Sequence, residues 1–359
     1  MTAASIPLLL PDPTREMRLR TLQALRGANY WSRRPVTRLD IAPGAYDEIS
    51  SADVPGVARA LVSALPGLVE HRCSIGERGG FLTRLQRGTY APHILEHVAL
   101  ELQTMIGHEV GYGKTRGGDV PGEYTVIVEH HHSGVGLRAA ALALGITQQA
   151  FAGTLCSVEH ALLELRALAD SPDLPALRQH VLCGITGGAA RHETRDEMIA
   201  RGVDRDDLLV EVAPGYILQA GLPYSRAELG IVLDAAPTDV PERYRAPDRA
   251  RALVSVVADA VCPGGFVIAP ANEWEVQDRA RDAGCRVAIF ATDDHVTVRD
   301  EQAAHSVALV HEGRIVLERA GVTADGGAVR RDAPVAAQVA AALAVFTLRE
   351  LEPEPGMVP

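Results

Sequence analysis

His93-Ile94-Leu95-Glu96-His97-Val98-Ala99-Leu100-Glu101 is the stretch from which the rest of the chain can be read. It lies in a run, residues 90–106, whose apolar Ile94, Leu95, Val98, Leu102 and Met105 recur at helical spacing and form one stripe. A turn of about 100° per residue also brings His93, Glu96, His97 and Glu101 together on the arc beside that stripe. The spacing predicts one amphipathic helix with four metal-type side chains along one flank.

Two imidazoles one turn apart can reach a single ion, and Glu96 between them completes the H-x-x-E-H order of an inverted zinc-hydrolase motif. Glu101 extends the line by another turn. The plainer reading is a wet helix flank that carries His and Glu without binding anything. Apolar residues close beside the polar arc suit the lip of a cleft better than a fully solvated face.

With 359 residues, 47% of them hydrophobic, the chain can bury a sizeable core, and its length fits two domains. The net charge of −11 argues against a general nucleic-acid or anionic-membrane surface. Arg18, Arg20, Arg26, Arg33, Arg34 and Arg38 make a local basic patch, ordinarily a solvated face. Cys73, Cys156, Cys183, Cys262 and Cys285 are widely spaced and form no C-x-x-C pair, so a reducing cytoplasm is expected rather than a disulfide framework. The apolar residues 6–10 are too short a run, and too interrupted by Pro7 and Pro11, for a signal peptide or a membrane span.

Along the chain, residues 17–25 and 36–41 read as strands and 57–65 as a helix. Gly76-Glu77-Arg78-Gly79-Gly80 is a loop leading into a short helix at 81–86. Gly111-Tyr112-Gly113-Lys114-Thr115 holds a G-K-T triplet but lacks the upstream glycine of a phosphate loop, so it is discounted as a nucleotide signal. Residues 124–128 form a strand ending in Glu129-His130-His131-His132, where His130 and His132 share a face and offer either a further ligand or a polar loop. Helices follow at 137–144 and 156–169, and the second repeats the E-H-x-x-x-E-L spacing with Glu159, His160 and Glu164, either as a third ligand from a later helix or as a chance echo. From residue 178, strands at 181–185, 208–212, 230–233, 266–269 and 286–290 alternate with helices near 193–200, 249–261 and 273–283, the rhythm of a parallel sheet. A hairpin at 307–317 and a helix at 335–348 close the chain.

Residues 22–165 resemble the N-terminal domain of cyanophycin synthetases. The resemblance is carried by Leu25-Arg26-Gly27-Ala28-Asn29-Tyr30-Trp31-Ser32, Leu68-Val69-Glu70-His71-Arg72-Cys73-Ser74, Gly79-Gly80-Phe81-Leu82 and the helix from His93 to Gln103. Residues 180–345 resemble the central domain of the Mur-ligase-like half of that family through Cys183-Gly184-Ile185-Thr186-Gly187 and the strand Ile231-Val232-Leu233. The resemblance implies an α/β protein: an N-terminal α+β domain at 17–169, a linker at 170–179, and a Mur-ligase-like, mainly parallel sheet domain at 180–348, with a flexible start (1–16) and a tail (349–359).

The departures shape the functional expectation. Family synthetases join aspartate and arginine with two ATP-dependent centres, and this length leaves no room for the ATP-grasp domain between the two regions. The Mur-like loop, G-x-T-G-x-x-G-K-T in the family, reads Gly184-Ile185-Thr186-Gly187-Gly188-Ala189-Ala190-Arg191-His192 here, which replaces the last glycine, the phosphate lysine and the magnesium-holding hydroxyl. Arg191 is left as a phosphate contact in a degenerate loop with Gly184, Thr186 and Gly187, and no ATP is expected.

What remains is the first domain, which in some family members looks like a metallopeptidase that cuts polymer. The resemblance then implies a zinc-dependent hydrolase of cyanophycin or a related β-Asp-Arg-type peptide. His93 and His97 are the expected zinc ligands, with Glu101 or another acidic side chain completing the set. Glu96 is the expected general base, and Arg26, Arg78 and Arg84 are candidates for substrate carboxylates. The alternative is a catalytically silent subunit that binds the polymer or a partner synthetase. Either is expected in the cytoplasm, alone or as a homo-oligomer, with no nucleic-acid or membrane partner.

Overall fold

The computed structural model describes residues 10–73, 76–118, 120–294 and 304–351. The apolar residues 6–9 and the tail beyond 351 lie outside them. The chain forms two compact units: the first runs to Leu25 and resumes as Pro35–Pro175, and the second takes Arg26–Arg34 and the chain from Ala176 on.

In the first unit a short helix α1 (Pro13–Glu16) precedes strands β1 (Arg18–Leu25) and β2 (Val36–Ala42). Helices α2 (Val57–Ala64), α3 (Gly80–Arg87) and α4 (Ala91–Met105) follow, then strands β3 (Gly113–Gly117) and β4 (Tyr124–Glu129), and helices α5 (Ser133–Ala152) and α6 (Glu159–Ala169). The sheet is antiparallel throughout, in the order β1-β2-β4-β3. Leu39, Ile41, Val126 and Val128 point from one face of it into a core shared with α4 and α5.

Helix α4 starts with Pro92 in its first turn, where the missing N–H costs nothing. Gly107, at φ 95°, turns the chain out of it. Of its 15 residues twelve are buried, so most of its polar arc is a polar stripe inside the unit. Buried polar groups need partners, which makes every neighbour of that stripe informative. The basic run does not act as one patch: Arg38 pairs with Asp40 and Arg20 with Glu123 in the first unit, and Arg33 with Asp259 in the second.

The second unit contains β5 (Arg178–Thr186), α7 (Arg191–Ala200), β6 (Leu209–Glu211), α8 (Pro214–Ala220), β7 (Tyr224–Val232), α9 (Pro247–Val254), β8 (Val261–Pro270), α10 (Trp274–Asp282) and β9 (Arg286–Phe290). Strands β10 (Ser306–His311), β11 (Arg314–Arg319) and β12 (Val322–Ala328) and a last helix, Val335–Leu351, complete it. The sheet order is β12-β11-β10-β9-β8-β7-β5-β6, parallel from β6 to β10 and antiparallel through β11 and β12. Its central strands are buried on both faces: Ile231 packs with Met198 of α7 and Leu343 of the last helix, and Val232 with Ile217 of α8 and Leu253 of α9. The single helix expected at 249–261 ends at Val254 and continues as a 3-10 turn, because Val261 already pairs with Ala227 as the first residue of β8. No helix among the described residues is long and apolar enough to cross a membrane.

Candidate metal centre

Three segments of the first unit meet around the polar stripe of α4. The helix presents His93, Glu96, His97 and Glu101; the chain leaving a 3-10 turn, Pro66–Glu70, presents His71 and Cys73; β3 presents Thr115. Ligand-type atoms of Cys73, His93 and His97 all lie within 4.8 Å of one another. Cys73 Sγ is 3.2 Å from His93 Nε2, and the other nitrogen of that ring, Nδ1, lies 2.8 Å from Thr89 Oγ1. His97 stacks on Phe81 with ring centroids 3.9 Å apart. Its Nδ1 meets His71 Nδ1 at 2.9 Å, and its Nε2 is buried with no hydrogen-bond partner among the described residues.

Glu96 occupies the other side of the cluster, with Oε1 3.9 Å from His97 Nε2. Thr115 donates its hydroxyl to Glu96 Oε2 at 2.6 Å. Gly113, two residues back along β3 and so on the same face, leaves the room the carboxylate needs: a Cβ there would come within 2.7 Å of Glu96 Cγ and Oε1. Burial pushes the Glu96 carboxyl up to about 7, against the Thr115 hydrogen bond and the nearby His71, which both pull it down. Burial also depresses both imidazoles, His93 to about 4 and His97 to about 2, with Arg84 adding to each and His93 and His71 adding to His97. Neutral imidazoles are the form that binds a metal.

A cavity of about 820 Å³ opens onto the cluster, lined among others by Arg72, Cys73, Arg84, His93, Glu96 and His97. Glu96 is the one carboxylate in that lining among the described residues.

The structure brings His93, Glu96 and His97 together as their spacing suggests, with a thiol beside them. Glu101 or another acidic side chain was expected to complete the set; Glu101 Oε2 lies 3.1 Å from His71 Nε2, and the group that stands with the two imidazoles is the Cys73 thiol. Sequence reasoning missed Cys73 and His71 as site residues, since a His-x-Cys pair in a loop has no periodicity to expose it. Of the three arginines, Arg84 lines the cavity, Arg78 pairs with Glu70, and Arg26 belongs to the second unit.

Several of the remaining candidates have structural partners. His130 is buried against the Thr37 hydroxyl, His132 accepts the Val135 N–H at the start of α5, and Glu164 pairs with Arg138 at 2.6 Å. In the second unit Gly184 lies inside β5, where a Cβ would strike the Tyr224 hydroxyl, and the Thr186 hydroxyl donates to Val212 O at 2.8 Å. Gly187 adopts φ 139°, and the Arg191 guanidinium donates to its carbonyl. The next amides point at a carboxylate of this same chain: Gly188 N–H donates to Asp234 Oδ1 at 2.7 Å and Ala189 N–H to Oδ2 at 3.3 Å.

The donor set suits a zinc-type ion. One thiol and two imidazoles are borderline-soft donors in the number catalytic zinc sites use, and the buried, unpartnered His97 Nε2 is an atom that such an ion would satisfy. Fold and cluster together define the first unit as an α+β domain with a part-buried Cys/His/His cluster beside a carboxylate.

Residues 38–152, which include the whole cluster, match the family described as the cyanophycin synthase-like N-terminal domain. The chain is 51% identical to the cyanophycin synthetase of Synechocystis sp. over 116 residues, 31% of this chain and 13% of that protein. It is 46% identical to that of Trichormus variabilis over 136 residues, 37% of this chain and 15% of that protein. The match thus spans about one seventh of each relative's length. Among solved structures, MurF from Acinetobacter baumannii is similar at TM-score 0.31 and 13% identity, over 48% of this chain and 43% of that one. A pseudomurein peptide ligase type C from Methanothermus fervidus is similar at TM-score 0.35 and 9% identity, over 57% and 52%.

Proposed function

We propose that the first unit is a zinc-dependent peptide hydrolase acting on cyanophycin or a related β-Asp-Arg-type peptide. The observation that carries this reading is the buried carboxylate of Glu96 standing beside the Cys73, His93 and His97 cluster on the wall of a cavity. The similar domain's name supports the choice of polymer. Cys73, His93 and His97 would hold the ion; zinc, when bound, supplies a lowered pKa for water and a polarised amide carbonyl. Glu96 takes a proton from water at the cluster and returns it to the leaving amine. Thr115 and the open space at Gly113 keep that carboxylate turned toward the imidazoles. Arg72 and Arg84 on the cavity wall meet substrate carboxylates.

The test is zinc content and cleavage together. The parent protein is expected to hold zinc and to shorten cyanophycin. Glu96→Gln should retain the metal and lose cleavage by roughly 10²- to 10⁴-fold, because an amide cannot take the proton. His97→Ala should lose both. A Glu96→Gln protein that cuts at the parent rate removes Glu96 from the mechanism.

We also propose that the second unit consumes no ATP. Asp234 places a carboxylate against the amides of Gly188 and Ala189, where a bound phosphate would be repelled, and neither Ala190 nor Arg191 replaces the family's loop glycine and lysine. Phosphate release that depends on aspartate or arginine would overturn this. The same loss favours the competing reading, a silent subunit that binds polymer or a synthetase, which takes over if the parent binds no zinc and cuts nothing. All five cysteines are free thiols, which supports placing the protein in a reducing cytoplasm.

A further inference from the structure

Glu101 is buried behind the cluster, and His71, part-buried, lines the cavity beside it. The Glu101 carboxylate is 3% exposed and reaches His71 Nε2 at 3.1 Å, and His71 Nδ1 reaches His97 Nδ1 at 2.9 Å. With metal on His97 Nε2, that atom carries the lone pair, and one arrangement of protons then satisfies both contacts. A carboxylate only accepts, so His71 Nε2 carries a hydrogen and donates to Glu101. A neutral His71 then has a bare lone pair at Nδ1, which must accept from His97 Nδ1–H. The lone pair of His97 falls on Nε2, the buried atom with no hydrogen-bond partner among the described residues, 3.9 Å from Glu96 Oε1. The chain is built to admit this row: a Cβ at Gly67 would strike the Glu101 carboxylate, so the glycine in the 3-10 turn lets the loop close down on it.

We propose that Glu101 and His71 are positioning residues, a carboxylate–imidazole pair that fixes the tautomer and ring orientation of His97 and so strengthens its bond to the metal. Glu101 acts through His71 and is not itself a ligand. This rests on the metal-centre reading above. Partners of this kind behind a ligating histidine commonly govern metal affinity by about 10- to 100-fold.

The experiment is competitive zinc titration of the full-length protein against a chromogenic chelator, with cobalt(II) absorption as the record of coordination. Glu101→Leu fills the same space without an acceptor and is expected to weaken zinc roughly 10- to 100-fold at unchanged stoichiometry. Glu101→Gln keeps an oxygen for His71 Nε2–H and is expected to restore most of that loss, with the parent's cobalt spectrum. Gly67→Ala, which displaces the carboxylate from outside the imidazole row, should weaken zinc as Glu101→Leu does. Glutamine failing as badly as leucine, with an altered cobalt spectrum, would make Glu101 a ligand and overturn the proposal. So would zinc affinity indifferent to Glu101→Leu, or to His71→Gln if the leucine variant does not fold. A parent that binds no zinc removes the metal centre itself, an outcome distinct from a parent that binds zinc without regard to residues 71 and 101.

Discussion

Glu96 is held where its charged form is costly. Its carboxyl is 7% exposed, and burial raises its pKa from 4.5 to about 7, while an unfolded chain returns it to the ordinary value. A carboxyl raised in the folded state binds its proton more tightly there, so its stabilising effect is full below about 4.5 and is lost as pH rises through about 7. In metal-free protein Glu96→Gln removes this slope. The variant should gain on the parent as pH rises from 5 to 8, by at most roughly 2 to 3 kcal/mol. Both tryptophans, Trp31 and Trp274, lie in the second unit, so the measurement is hydrogen exchange of the α4 amides, with parent and variant compared at each pH. A gap that narrows with rising pH would mean that the carboxylate is stabilised as an anion. The same substitution that should abolish cleavage is thus expected to stabilise the unit, the trade that buried catalytic groups commonly show.

Strand β3 shows why element-level reading succeeded for α4 and failed beside it. Residues 90–106 advertise a helix through repeated apolar spacing, and the helix forms at Ala91–Met105. The strand Gly-Lys-Thr-Arg-Gly has two glycines, no alternation of apolar residues and an edge position, so nothing local marks it as a strand. Its role is set by register: Gly113 opposite Val128 and Thr115 opposite Val126 bring a gap and a hydroxyl to Glu96. Spacing likewise aligned Glu101 with His93 and His97 but was silent on His71, whose approach across the fold draws the carboxylate away. Helix α8 and strand β12 were missed for a related reason, being short or glycine-bearing segments whose partners lie far off in the chain. The parallel strands were legible because burial on both faces leaves continuous apolar runs such as Ile231-Val232-Leu233. Gly113→Ala tests the register argument. The added methyl overlaps Glu96 Cγ and should destabilise the first unit by about 1 to 3 kcal/mol. It should also lower cleavage at unchanged zinc content. Unaltered cleavage would show that Glu96 tolerates displacement and that β3 does not position it.

At the scale of the whole molecule, the boundary between the units does not coincide with a single cut in the sequence. The chain enters the second unit at Arg26, returns to the first at Pro35 and leaves it again after Pro175. Residues 26–34 are tied into the second unit by backbone and side chain alike. Arg26 N–H donates to Ala220 O at 3.0 Å, and Leu222 N–H to Ala28 O at 2.8 Å. Tyr30 meets Tyr244 edge-on at 5.2 Å between centroids. Arg33 reaches Asp259 at 3.0 Å, and that carboxylate, 1% exposed, is shared with Arg279 at 2.7 Å. A fragment of residues 176–359 keeps every strand of the parallel sheet but loses this segment, uncovering Tyr244 and leaving Asp259 with one guanidinium in place of two. Removing one partner of a buried charge and these two backbone bonds together should cost on the order of 3 kcal/mol. The fragment should therefore unfold at markedly lower urea than the same unit in the full chain, followed by Trp274 fluorescence, and Arg33→Ala in the full chain should reproduce part of the loss. Equal midpoints for fragment and full chain would show that residues 26–34 lie on the second unit without supporting it.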